Sequence, residues 1–182
     1  PFIWGATNSW GGVRCRNFQY NQMLYCDEIE PESIDENCAE TMGPYHMAAC
    51  FGCQVHCRAK YKIPTGPYAG KYDEGPEYTS QGAFSGEPDI PSLENLLVAN
   101  HLVDQWGVDN LEIGSLISWA MELYELGILT DKETDGLDLR FGSSEALLEM
   151  IRRICFREGW LGNVLAEGGI IASEKIGKNS FD

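Results

Sequence analysis

Three thiols sit close together in this chain, as Cys50-x2-Cys53-x3-Cys57. That spacing is too tight for an ordinary disulfide framework and suits thiolates that share a metal. An iron–sulfur cube can take three corners from one local turn and the fourth from elsewhere, and Ala48, Ala49 and Gly52 are small enough to let the backbone fold around it. The run differs from the bacterial ferredoxin pattern, since Arg58 rather than Pro follows Cys57. It also reverses the C-x3-C-x2-C order of radical enzymes that use S-adenosylmethionine. Zinc is the competing ligand, because the same thiolates with His46 or His56 would complete a tetrahedral set. On spacing alone a 4Fe–4S cluster, zinc and unligated thiols all stay open, with the cluster favoured.

Two further groups can do chemistry. Gly75-Pro76-Glu77-Tyr78 places a carboxylate in a stiff, aromatic-flanked loop, where a dry pocket would raise its pKa and make Glu77 a general acid or base. Taken alone, a solvated loop carboxylate is the plainer reading. Asp104-Gln105-Trp106-Gly107-Val108-Asp109 sets two carboxylates around a glycine, which by itself reads as a helix C-cap with solvated acids. No G-x-G-x-x-G and no Gly-Lys-Ser/Thr is present, so no phosphate loop is expected.

The elements that must position these groups divide the chain at about residue 90. Residues 1–90 are rich in Gly, Pro, Asn and Tyr, and predict an irregular half in which 46–57 is a turn or short helix and 58–90 is irregular. From Pro91 the apolar spacing turns helical, with helices expected at 92–105, 111–126 and 144–158 and one or two short ones between Leu161 and Ile176. Gly107, Gly127 and Gly159 are the expected stops. The fold class is therefore mainly α: a single domain or fragment whose residues 1–90 carry the loops and whose residues 91–182 carry the helices.

Composition bounds the function. The 182 residues are 43% apolar, enough for a sizeable core, and carry a formal net charge of −15. Such a field repels phosphate backbones and anionic lipid, so neither nucleic acid nor a membrane is an expected partner. Seven cysteines without an Asn-x-Ser/Thr sequon predict a reduced, cytoplasmic protein. The first residue is Pro1, with no initiator Met or signal core, and the text stops just after a helix-like stretch, which predicts a piece of a longer chain.

The order of the motifs is more specific than any one of them. Ala49-Cys50-Phe51-Gly52-Cys53-Gln54-Val55-His56-Cys57, then Gly75-Pro76-Glu77-Tyr78, then Ala99 to Asp109, then Ala120-Met121-Glu122-Leu123-Tyr124-Glu125-Leu126-Gly127 resemble the middle of the tungsten-containing aldehyde:ferredoxin oxidoreductase family. Arg16-Asn17-Phe18-Gln19 and Leu165-Ala166-Glu167-Gly168-Gly169 match as well, so the resemblance covers essentially the whole chain.

The resemblance implies a helical middle domain beside a tungsten (or molybdenum) bis-pterin cofactor, and a 4Fe–4S cluster that passes electrons to ferredoxin. It implies Cys50, Cys53 and Cys57 as cluster ligands and Glu77 as the active-site carboxylate. Asp104, Gly107 and Asp109 would form the first of two D-x-x-G-x-D/C pterin turns. Glu77, that turn and the cysteine segment are then expected to open on one cavity. The amino-terminal pterin domain and the second turn, whose Cys is the fourth cluster ligand, are not in these residues, so remaining segments or subunits are expected partners along with a small aldehyde. Members that bridge subunits through a metal use an E-x-x-H pair, whereas here Val98 stands at the Glu position before His101. Two readings from other classes remain: an electron-transfer or assembly module that binds only a cluster, and a zinc-stabilised helical interaction domain.

Overall fold

The computed structural model of the chain describes residues 7–23, 46–56, 58–63, 66–178 and 180. Among these, three short strands form an antiparallel sheet in the order β1 (His46–Ala48), β2 (Arg58–Lys62), β3 (Tyr72–Glu74). Its register pairs Ala48 with Arg58 and Lys60 with Glu74. The chain then enters a short helix α1 (Tyr78–Gln81), continues through a π turn (Gly82–Gly86), and goes on to α2 (Leu93–Trp106), α3 (Asn110–Glu125), α4 (Ser144–Phe156), α5 (Gly159–Leu165) and α6 (Gly169–Ile176). The architecture is mainly helical, as expected. No helix among the described residues is long and apolar enough to cross a membrane.

The long helices begin where capping side chains satisfy the first free amides. Ser92 Oγ accepts from Asn95 N (3.3 Å), Asp109 Oδ1 from Glu112 N (2.8 Å) and Ser143 Oγ from Ala146 N (3.2 Å). Gly107 ends α2 in the left-handed conformation at φ +68°, which a residue without a Cβ adopts cheaply. The expected stop at Gly159 is displaced. Arg157 takes the left-handed position instead, at φ +55°, and Gly159 opens α5. The Arg157 guanidinium pairs with Glu167 on the α5–α6 turn.

The irregular reading of 58–90 also needs correction. This stretch holds β2, β3, α1 and the π turn, and Tyr61, Ile63, Phe84 and Ile90 are fully buried with the helical core. Among its described residues, Tyr72 and Tyr78 are the exposed large hydrophobic side chains. The core itself lies between α2, α3 and α4, around Leu97, Ile117, Met121, Leu147, Met150 and Ile151.

The π turn reaches α3 at Gly114. A Cβ there would stand 2.5 Å from Ala83 Cβ and 2.6 Å from the Ala83 carbonyl oxygen, neither of which can swing away. Gly114→Ala is expected to destabilise the fold by about 1–3 kcal/mol, the usual cost of overpacking. A urea midpoint equal to that of the parent would contradict this close approach.

The amino-terminal segment is clamped onto the helical body by charge. Arg14 pairs with Glu87 (3.1 Å) and Arg16 with Asp89 (2.8 Å), both carboxylates being fully buried. Burial pushes the Glu87 pKa up against the downward pull of Arg14 and of the Ser115 hydroxyl. Asn17 Nδ2 and Gln19 Nε2 donate to the two oxygens of Glu122 on α3 (2.6 and 3.1 Å). Arg16, Asn17 and Phe18 all have positive φ, a strained run for side-chain-bearing residues.

Candidate functional site

The sheet brings two of the three candidate groups to one end. β1 and β2 are joined by the cysteine segment, so Cys50 and Cys53 lie beyond the Ala48–Arg58 pair. β3 runs antiparallel to β2 and finishes at Glu74, opposite Lys60, and so returns to that same end before delivering Gly75-Pro76-Glu77. Arg58 Nη1 and Lys60 Nζ hold the Glu74 carboxylate at 3.2 and 3.6 Å, which ties the base of the cysteine turn to the base of the Glu77 loop.

Within the cysteine segment, Cys53 N donates to the Cys50 carbonyl (3.0 Å), closing a turn, and Gly52 supplies the positive φ (+72°) inside it. Val55 N donates to Cys53 Sγ at 3.5 Å. Amide donors on sulfur are a usual means of stabilising cluster thiolates. Cys50 is exposed and Cys53 half-buried, while Phe51 and Val55 stand out in solvent between and beyond them. Cys57, the expected third ligand, lies outside the described residues. Among the described residues no three His, Cys, Asp or Glu side chains are grouped as a metal site.

Glu77 is half-buried and occupies the N-cap position of α1, its carbonyl accepting from Gln81 N (3.0 Å). The third group, the Asp104–Asp109 turn, is joined to its loop through α2. Asn100, buried on α2, donates through Nδ2 to Asp104 Oδ2 (3.0 Å), to the Glu74 carbonyl (3.2 Å) and toward the Tyr61 hydroxyl (3.4 Å). Tyr61 in turn donates to the Leu97 carbonyl (2.9 Å), and burial pushes its pKa far up, so it stays a neutral donor. Asp104 is at an exposed helix end, yet its carboxylate is turned back onto Asn100. Partial burial, and next the Asp73 charge, push its pKa above the usual carboxylate range. His101 is buried with Nδ1 2.8 Å from Asp73 Oδ2. With Val98 in the core and His101 turned onto Asp73, these residues do not fit a subunit-bridging metal.

Asp109 borders a cleft of about 310 Å³ between the start of α3, the end of α4 and the α5–α6 turn. Its walls include Val108, Ile113, Leu116 and Ile154, with Glu112 and Arg157 as charged members and Gly168 at the rim. Cys155 also lines it, and burial raises its thiol pKa, so this sulfur is a packing group rather than a thiolate. Glu77, Asp104, Gly107, Cys50 and Cys53 do not border this cleft, so the expected single cavity is not this one.

Sequence reasoning missed Asn100, Asp73, Tyr61 and the pair Ser80–Asn110, in which Asn110 Nδ2 donates to Ser80 Oγ (2.6 Å). One signal was present for Asn100: it is a polar residue on the apolar face of α2, one helical turn before Asp104.

The chain is similar to known proteins along nearly its whole length. Residues 2–182 match the family model described as aldehyde ferredoxin oxidoreductase, domains 2 and 3. A tungsten-containing aldehyde ferredoxin oxidoreductase of Pyrococcus horikoshii is 35% identical over 172 residues, which is 93% of this chain and 27% of that protein. The WOR-like subunit of an aliphatic sulfonate oxidoreductase of Pyrococcus furiosus is 35% identical over 128 residues, 70% of this chain and 20% of that subunit. Among solved structures, the BamBC active-site complex of benzoyl-coenzyme A reductase superposes with a TM-score of 0.71 at 21% identity, over 93% of this chain and 24% of that one, a likeness of fold. The chain thus spans about a quarter of the length of the relatives it matches, and it belongs to the aldehyde ferredoxin oxidoreductase family, in the part that forms domains 2 and 3.

Proposed function

We propose that this chain is the cluster- and pterin-facing part of an oxidoreductase that converts an aldehyde and water to a carboxylic acid, sending two electrons through a 4Fe–4S cluster to ferredoxin. The observation that carries the reading is the gathering of the cysteine turn and the Glu77 loop at one end of the small sheet, with Asp104 tied to the base of that loop through Asn100. When bound, a tungsten (or molybdenum) bis-pterin supplies the two-electron redox step.

The chain's own residues bind, orient and move protons. Cys50, Cys53 and Cys57 hold the cluster, with the fourth thiolate coming from a segment beyond these residues. The Val55 amide directed at Cys53 Sγ favours the ligated thiolate. Asp109 and the apolar walls of its cleft take one edge of the pterin, while Gly107 lets the backbone turn between the two aspartates. Oxidising an aldehyde with water releases two protons along with the two electrons, and Glu77 is the group placed to accept one of them.

Metal analysis of the purified enzyme tests this. Iron near four per chain together with tungsten or molybdenum is the expected result. Iron alone would favour a cluster-binding electron-transfer or assembly module. Zinc in place of both would favour a helical interaction domain stabilised at the same cysteines.

A further inference from the structure

We infer that Asn100 and Asn110 are positioning residues that clamp the Glu77 segment from its two flanks onto the Asp104–Asp109 turn. The inference rests on the proposed role of Glu77 and adds to it the residues that set where its carboxylate stands.

Four observations carry it. Before Glu77, Asn100 Nδ2 donates to the Glu74 carbonyl (3.2 Å), and Gly75 lies so near that a Cβ there would be 3.2 Å from Asn100 Nδ2. After Glu77, Asn110 Nδ2 donates to Ser80 Oγ (2.6 Å), and Ser80 is buried on α1, the helix that Glu77 caps. The two asparagines flank the turn, Asn100 standing one helical turn before Asp104 and Asn110 directly after Asp109. Finally, Asn100 is itself held, since its Nδ2 also donates to Asp104 Oδ2 (3.0 Å).

A carboxylate on a loop fastened at one flank can swing, whereas one fastened at both is held at a fixed offset from the turn. Misplacing a catalytic group by about 1 Å can cost about 100-fold in rate, so such ties matter without touching substrate. Neither asparagine is required by helix formation. Asn110 is the first residue of α3, whose N-cap is already supplied by Asp109, and Asn100 is a poor helix former in mid-helix. Both are explained by what their amides hold.

The test has two arms. In this chain, amide exchange of residues 75–82 is expected to speed up at least about 10-fold in Ser80→Ala and in Asn110→Ala, with α4–α6 unchanged. The double variant should be no faster than either single one, because both remove the same bond. In the metal-loaded enzyme, Asn110→Ala should lower kcat about 10- to 100-fold with KM within about twofold. Asn110→Asp should restore it, since the new carboxylate can accept from the Ser80 hydroxyl. Asn100→Ala, with tungsten and iron retained, should give the same kcat-selective loss.

Unchanged exchange, additive singles, or an Asn110→Asp variant as impaired as Asn110→Ala would overturn the inference. Glu77→Gln run in parallel separates the two claims. If that variant is fully active the role of Glu77 fails, and if only the asparagine variants are fully active the clamp fails while the role of Glu77 stands.

Discussion

Glu77→Gln in the metal-loaded enzyme is expected to keep tungsten and iron and to lose turnover by about 10²–10⁴-fold, the range for removing a general acid or base. The substitution is nearly isosteric, and Glu77 stands at an N-cap position whose backbone carbonyl, not its side chain, accepts from Gln81 N. Because the substitution keeps size and shape, fold and metal content are expected to be retained. What the amide lacks is the ability to take up a proton, so the loss should fall on kcat. Full activity, or a loss that tracks missing tungsten, would remove Glu77 from the proton step.

The helical half was legible because its signals are local. Ser92, Asp109 and Ser143 stand where caps are needed, and apolar residues recur at helical spacing down to Ile154. The strands were not, since β1 and β3 have three residues each and show no alternation long enough to read. They form by backbone pairing of 46–48 with 58–60 and of 60–62 with 72–74, which is information about pairing and not about any one segment. The site divides in the same way. The order of Cys, Glu and Asp motifs was visible along the chain, whereas the role of Asn100 depends on a carbonyl 26 residues earlier that only the folded sheet places beside it. Arg157 shows a local rule overridden: a left-handed arginine ends α4 two residues before the glycine that the sequence marks as the stop.

Cys53→Ala is expected to abolish cluster binding: iron should fall to background and ferredoxin reduction with it, a complete loss rather than a graded one. Ligand sites of this kind are held together by their metal, and Cys53 both closes the turn and receives the Val55 amide. The helical signal should survive, because the core around Leu97, Ile117 and Leu147 contains no described residue of the cysteine segment. Retention of four irons with normal electron delivery would show that the cluster is held elsewhere. Retained zinc in the variant would remove these cysteines from the zinc reading too.

The charged clamp of the amino-terminal segment has a consequence for how the chain is made. Asn17 and its acceptor Glu122 are 105 residues apart, and Arg16 and Asp89 are 73 apart. A ribosome adding about 5–20 residues each second needs roughly 5–20 s to cover the longer of those intervals. Until Glu87, Asp89 and then Glu122 have been added, Arg14, Arg16 and Asn17 have no carboxylate to meet. The left-handed run at Arg16–Phe18 gains its Glu122 bonds only once α3 has been made, so these residues settle after segments that follow them in the chain.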